Sequence, residues 1–145
     1  MNKRVLIVED EIFVALEIEQ IVQAAGLDVI AIAADRAEAL AAASLCDIAL
    51  VDLNLRDGPT GPGIGMELAN RHDVRVIYVT ANPAQIGAAS SAAFGCITKP
   101  FDARCIAAAL KLAVADTPDP AHAPIGGFTP FLAARDAWPA GESRR

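Results

Sequence analysis

The sequence contains several short apolar runs, and polar residues that could act together in one chemical site stand at the ends of four of them. In chain order these side chains are Glu9 with Asp10, then Asp52, Thr80 and Lys99. Carboxylates that lie close together repel one another, and a divalent cation relieves that repulsion. Because carboxylate and carbonyl oxygens together with water suit Mg²⁺, the acidic residues predict a magnesium site.

Asp52 would be the nucleophile in such a site, because a carboxylate is one of the groups that form covalent phosphoenzyme intermediates. A phosphoryl group in transfer needs its equatorial oxygens stabilised by positive charge. The cation would supply that charge on one side, and the Lys99 ammonium would supply it on the other. The Thr80 hydroxyl can donate a hydrogen bond to a third oxygen. These residue types together favour reversible phosphoryl transfer to Asp52.

The elements that position these residues alternate along the chain. Continuous apolar runs predict buried strands, and each strand is followed by a helical pattern. The strands are expected at 5–8, 29–33, 48–51, 74–79 and 94–98, and the helices at 14–25, 37–44, 64–71, 83–91 and 103–115. This alternation predicts an α/β fold with a parallel sheet and helices on both faces. Ligands of such sheets bind at the carboxyl ends of the strands, where the polar residues lie.

The composition changes after Ala115. Residues 116–145 hold five prolines and show no helical or strand period. We therefore expect one domain over residues 1–115, followed by a flexible Pro-, Ala- and Gly-rich tail that folding does not need. The tail aromatics Phe128, Phe131 and Trp138 are either incidental or dock on a partner.

The overall composition excludes several classes of partner. The formal net charge is −6, and the 12 basic residues are scattered, so we expect no nucleic-acid surface. No apolar run reaches the length of a membrane span. Three cysteines, Cys46, Cys96 and Cys105, lack metal-ligand spacing, which is typical of free thiols in the cytoplasm.

The motifs VLIVEDE, LVDLNLRDG, VIYVTA and ITKPF occur in this order across residues 3–115. With them the sequence resembles the receiver domains of bacterial response regulators in two-component signalling. Within that family it is most similar to the receivers of alphaproteobacterial general-stress regulators and their single-domain relatives. The resemblance implies a flavodoxin-like doubly wound sheet of five parallel strands in the order 2-1-3-4-5.

The resemblance also implies roles for individual residues. Asp52 matches the phosphoacceptor, with Thr80 and Lys99 assisting, and the magnesium shell includes Asp10 directly, Glu9 through water and the backbone carbonyl of Asn54. The phosphoryl donor would be a sensor histidine kinase or a histidine phosphotransfer protein. The chain would act as a monomer or weak dimer, as a switch or phosphate carrier working through protein contacts. Beyond self-catalysed phosphoryl transfer and slow autodephosphorylation, no enzymatic activity is expected.

Three features depart from the family pattern. Cys96 occupies the place of an aromatic residue that usually works with the threonine to report phosphorylation, so another group must carry that signal. The insert GPTGPGIG follows the acceptor strand and is expected to reshape the rim of the site, and Glu9 replaces the commoner aspartate.

Other classes of protein with this topology remain as alternatives. A phosphatase with an aspartate nucleophile would have a second aspartate where Asn54 stands, and an amide cannot do acid–base work. A flavin-binding protein would have a phosphate loop after the first strand, where this chain has acids. A pseudo-receiver that only binds partners would not need the complete set of site residues, although Cys96 is consistent with it.

Overall fold

The computed structural model describes residues 2–115 and 127–131, and in these ranges six strands form one sheet. The strands are β1 (Arg4–Val8), β2 (Asp28–Ala33), β3 (Ile48–Val51), β4 (Arg75–Thr80), β5 (Gly95–Thr98) and β6 (Phe128–Pro130). Their order is β2-β1-β3-β4-β5-β6. The first five strands pair in parallel, and β6 runs antiparallel to β5. The predicted flavodoxin-like order 2-1-3-4-5 is therefore confirmed, with one further strand at its edge.

Helices connect the parallel strands. They are α1 (Ile12–Ala24), α2 (Arg36–Ala41), α3 (Gly61–His72) and α4 (Ala103–Val114), with 3₁₀ turns at Ala43–Leu45 and Pro83–Ala92. We call Pro83–Ala92 the 83–92 segment. Within the described ranges, no helix is long and apolar enough to cross a bilayer.

The central strands are buried on both faces, which explains their continuous apolar sequence. Side chains alternate along β1, so that Leu6 and Val8 join one core layer while Val5 and Ile7 join the other. The first layer is covered by α2, α3 and the 83–92 segment, and the second by α1 and α4. The two layers hold the strand ends, and with them the polar residues, in fixed positions at one edge of the sheet.

Helix α3 begins at Gly61, three residues before the predicted start at Ile64, so part of the GPTGPGIG insert is helical. Pro62 suits a first helical turn because its ring fixes φ at a helical value. Two glycines let this helix approach the sheet closely. A Cβ on Gly61 would lie 2.1 Å from the carbonyl oxygen of Asp52, and one on Gly65 would lie 2.2 Å from the Tyr78 hydroxyl.

The 83–92 segment is a kinked 3₁₀ element rather than the short helix predicted at 83–91. The kink lies at Gly87, whose φ of 56° and ψ of −134° are not helical, a conformation that favours glycine. Only Ile86 and Ala89 of this segment are buried. The segment is thus attached to the first core layer by two side chains.

Strand β6 was not predicted, and the expectation of a flexible tail does not hold for residues 127–131. Phe128 is buried and stacks on Phe94 with ring centroids 6.3 Å apart, and Gly95 leaves the space in which that ring lies. A three-residue strand ending in Pro130 has no period to detect, and proline is tolerated because an edge strand needs no outer donor. Trp138 and the rest of the tail lie outside the described residues, so the boundary near residue 116 stays a prediction.

Candidate functional site

The two acidic residues that follow β1 differ in burial. Glu9 is buried, with an exposed fraction of 2 %, whereas Asp10 is exposed. The backbone N–H of Glu9 donates to the carbonyl of Ala33 at 2.8 Å, which fixes the end of β1 against β2. The backbone N–H of Glu11 donates to Glu9 Oε2 at 3.1 Å. Glu9 therefore presents its other oxygen to the edge of the sheet.

Asp52 follows β3 and is buried beside Glu9. Its backbone N–H donates to the carbonyl of Val8 at 2.9 Å, so the ends of β1 and β3 are joined directly. Carboxylate oxygens of Glu9, Asp10 and Asp52 all lie within 4.8 Å of one another. The three acids that the sequence selects thus form one cluster.

Lys99 is the cation that faces this cluster. Its Nζ donates to Glu9 Oε1 at 3.1 Å and to Asp52 Oδ2 at 3.2 Å. Its backbone N–H donates to the carbonyl of Thr80 at 2.8 Å, which ties the residue after β5 to the end of β4. An ammonium group shared by two largely buried carboxylates is strongly positioned.

The ionisation of this group reflects burial and charge. Burial raises the pKa of Glu9 to about 7, and the Asp52 charge adds to that rise while Lys99 and the Glu11 N–H oppose it. Burial lowers the pKa of Lys99, but Glu9 and Asp52 outweigh it, so the net shift is upward. Lys99 is therefore a permanent cation near neutral pH, and a second positive charge would relieve the cost of ionised Glu9.

Thr80 stands at the end of β4 and is buried. Its Oγ1 accepts a hydrogen bond from the backbone N–H of Asn82 at 3.0 Å. The hydroxyl hydrogen remains available for another acceptor, since a hydroxyl both donates and accepts. The structure places Thr80 on the strand next to Asp52, as the sequence predicts.

The donor set fits a magnesium ion. Three clustered carboxylates, to which the backbone carbonyl of Asn54 would be added, are hard oxygen donors of the kind that Mg²⁺ prefers, and the exposed position of Asp10 leaves room for water ligands. Burial, the main cause of the raised pKa of Glu9, and the Asp52 charge both disfavour ionised Glu9, and a bound cation would favour that form. The chemistry and the electrostatics of the cluster both suit a divalent cation.

Cys96 and Tyr78 lie side by side in the sheet. The register of β4 and β5 pairs Tyr78 with Cys96, and both side chains belong to the first core layer. Tyr78 is fully buried, and its hydroxyl donates to the carbonyl of Pro62 at 3.1 Å. The aromatic ring of this region is therefore carried by β4, next to the small Cys96 on β5.

One contact beside the site was not foreseen from the sequence. The carboxamides of Asn54 and Gln85 exchange two hydrogen bonds, with Nδ2 to Oε1 at 3.2 Å and Nε2 to Oδ1 at 2.8 Å. Asn54 was selected only for its backbone carbonyl. No periodicity marks Gln85, because it lies in an irregular segment.

Comparisons with known proteins find a matching family and related sequences. The profile of the response regulator receiver domain matches residues 5–111. The Phyllosphere-induced regulator PhyR of Methylorubrum extorquens is 34 % identical over 119 residues, which are 79 % of this chain and 44 % of that protein. This chain therefore spans less than half the length of that relative.

Solved structures show the same likeness. The receiver domain of Erythrobacter litoralis PhyR superposes with a TM-score of 0.72 and 28 % identity, covering 78 % of this chain and 90 % of that one. The response regulator PhyR from Brucella abortus superposes with a TM-score of 0.70 and 31 % identity, covering 79 % of this chain and 48 % of that one.

Proposed function

This chain belongs to the response regulator receiver domain family, and on that premise we propose that Asp52 accepts a phosphoryl group from a histidine kinase or a histidine phosphotransfer protein. The observation that carries the proposal is the position of Lys99 Nζ, 3.2 Å from Asp52 Oδ2 and 3.1 Å from Glu9 Oε1. A nucleophilic carboxylate, a fixed cation and two further acids are the parts that this transfer requires.

Each residue of the site would have a separate role in phosphoryl transfer. Glu9, Asp10, Asp52 and the Asn54 carbonyl would hold Mg²⁺, which when bound supplies positive charge to the phosphoryl oxygens. An Asp52 oxygen bonds to phosphorus while the bond from phosphorus to the donor nitrogen breaks, and that nitrogen keeps the electron pair. Lys99 exchanges its carboxylate contacts for a phosphoryl oxygen, and Thr80 donates its hydroxyl hydrogen to another.

We propose that the phosphorylated chain signals, or passes its phosphoryl group on, through contacts with other proteins and without turning over a substrate. The 83–92 segment is the element that best supports a signalling role. It begins three residues after Thr80, is kinked at Gly87 and is held in the core by two side chains. A shift of Thr80 toward the phosphoryl group would pull on this weakly attached segment and bias two states of it.

The test of the acceptor is the intact mass of the protein after incubation with Mg²⁺ and a small phosphodonor such as phosphoramidate. Wild type should gain one phosphoryl group that hydroxylamine removes, and Asp52→Asn should gain none. Asp57→Asn is the matched control, because Asp57 lies in the same loop but bonds to Thr60 and the Arg36 N–H. A labile phosphoryl group on Asp52→Asn would refute the assignment.

The test of the output is amide NMR with and without a beryllofluoride mimic of the phosphoryl group. We expect shifts around Asp52 and throughout the 83–92 segment. Shifts confined to the neighbourhood of Asp52 would instead indicate a phosphate carrier without a conformational response.

A further inference from the structure

Strand β6 lies in a groove along the outer edge of β5. The two strands pair antiparallel, and hydrogen bonds join them at both ends of the pairing. The Thr98 N–H donates to the Gly127 carbonyl at 2.9 Å, and the Phe131 N–H donates to the Phe94 carbonyl at 3.1 Å. The edge of β5 therefore offers a row of backbone donors and acceptors that an extended segment can satisfy.

One side chain provides most of the packing in this groove. Phe128 is the buried residue of β6, and its ring stacks on Phe94 with centroids 6.3 Å apart. The space for the ring exists because Gly95 has no side chain, since a Cβ there would lie 2.5 Å from the Phe128 ring. The groove therefore selects an aromatic side chain at this position.

The groove also selects the residue that precedes the ring. Gly127 has a φ of 94°, a left-handed conformation that favours glycine. A Cβ at this position would lie 3.2 Å from Cys105 Sγ. Thr129, on the other side of the ring, is exposed and can be replaced freely. The groove thus fits an extended segment that contains glycine followed by phenylalanine.

We propose that the edge of β5 is a binding groove for an extended Gly-Phe segment of another protein, and that β6 occupies the groove until such a segment displaces it. β6 has three residues and buries one side chain, so it detaches at lower cost than the domain unfolds. The partner segment would extend the sheet, with its backbone hydrogen bonds supplying affinity and the space beside Gly95 supplying specificity.

The docking equilibrium of β6 sets the affinity to expect. Because the Phe128 ring is the main buried part of β6, the docked form should exceed the detached form about a hundredfold, the usual effect of a buried phenylalanine on an equilibrium. The connection through residues 116–126 gives β6 an effective concentration on the order of 1 mM. The same strand, added as a separate peptide, should therefore bind an empty groove with a Kd on the order of 10 µM.

The experiment titrates variants of the full chain with an acetylated and amidated peptide of residues 126–132, followed by calorimetry. The receptor is Phe128→Ala, whose own strand no longer fills the space beside Gly95. The control receptor carries Phe128→Ala and Gly95→Ala together, because the added Cβ closes that space. Further peptides carry alanine in place of Gly127, Phe128 or Thr129. Thermal melts establish that both receptors are folded.

We expect Phe128→Ala to bind the peptide with a Kd on the order of 10 µM, and the wild type to bind it about a hundredfold more weakly, because its groove is occupied. The control receptor should show no measurable binding. Alanine in place of Gly127 or Phe128 should weaken binding at least about tenfold, and alanine in place of Thr129 should leave it unchanged.

A second measurement uses the wild type and needs no variant to fold. In isotope-labelled wild type, unlabelled peptide above its apparent Kd should shift the Phe128 and Thr129 amides to new positions as β6 detaches, while the amides of β5 stay close to their starting positions. Because the groove lies along β5, neither measurement depends on phosphorylation of Asp52.

Three results would overturn the inference. The first is that a folded Phe128→Ala chain does not bind the peptide. The second is equal affinity for Phe128→Ala, the wild type and the control receptor, which would place the peptide elsewhere. The third is a wild-type spectrum in which the Phe128 and Thr129 amides do not move, and this result decides the question if Phe128→Ala fails to fold.

Discussion

The side chain of Phe128 provides a direct test of whether residues beyond 115 belong to the folded domain. Phe128 is 5 % exposed, packs in the second core layer and stacks on Phe94. Around it, the Thr98 N–H donates to the Gly127 carbonyl at 2.9 Å, and the Phe131 N–H donates to the Phe94 carbonyl at 3.1 Å. The prediction is that Phe128→Ala lowers the stability of the whole domain.

The expected loss is about 3 kcal/mol, the low end of the range for Phe→Ala in a core. The low end applies because β6 is a short edge strand that can detach, so that the loss cannot exceed the free energy of its docking. For a domain of this size, about 3 kcal/mol corresponds to a fall in Tm of roughly 10 °C.

The free energy of docking β6 also limits the effect of a second variant, Gly95→Ala. A Cβ on Gly95 would lie 2.5 Å from the Phe128 ring and 2.8 Å from the Thr129 carbonyl oxygen. Gly95→Ala should therefore also displace β6, and its loss of stability should match that of Phe128→Ala and of a chain that ends at Ala115.

Thermal unfolding followed by circular dichroism is a suitable assay. Phe13→Ala is the matched control, because Phe13 is 84 % exposed and substitution at the surface usually changes stability by less than about 0.5 kcal/mol. If Phe128→Ala melts within about 2 °C of wild type, the docking of β6 contributes no stability and the tail is dispensable, as its composition alone suggests.

Three further outcomes are expected at and around the site. Gly65→Ala should destabilise the domain by about 2 kcal/mol in chemical denaturation, because its Cβ would meet the Tyr78 hydroxyl at 2.2 Å; an unchanged midpoint would contradict this packing. Burial raises the pKa of Glu9 to about 7 from 4.5. In metal-free buffer, the stability that protonated Glu9 contributes to the wild type should therefore be complete below about pH 4.5 and be lost as the pH rises through about 7. Glu9→Gln removes that dependence, and Tm values from pH 5 to 8 that fall equally in both proteins would contradict it. Asp10→Ala should abolish weak Mg²⁺ binding in calorimetry, since it removes one of three clustered carboxylates, and unchanged affinity would place the ion elsewhere.

The cluster of acids and lysine could be predicted because parallel strands end at the same edge of a sheet. Once β1, β3 and β5 are assigned, Glu9, Asp52 and Lys99 must come together, and the distances near 3 Å agree. The prediction needed only the apolar runs and the residues that follow them. Boundaries were less accurate where glycine decides the packing, as at Gly61, because the close approach to the Asp52 carbonyl depends on a partner distant in sequence.

Strand β6 and the Asn54–Gln85 pair could not be predicted for a related reason. Each depends on contacts between segments that have no periodic pattern. The residues of such a segment do not indicate which other segment it contacts. Phe128 is one aromatic in a proline-rich stretch, and Gln85 is one amide in a segment of small residues. Only the packed structure shows that Gly95 leaves space for the first and that Asn54 faces the second.

The pairing of Tyr78 with Cys96 limits how a signal can leave the site. Tyr78 occupies the core next to the small side chain on β5, and its hydroxyl bonds to the Pro62 carbonyl at the start of α3. A swing of this ring would leave that carbonyl without its partner and open a cavity, at a cost of several kcal/mol. The 83–92 segment moves at lower cost, because only Ile86 and Ala89 hold it in the core and its carboxamide pair with the exposed Asn54 can exchange with water. The lower cost of moving the backbone therefore favours this segment, and not a rotating aromatic side chain, as the carrier of the response.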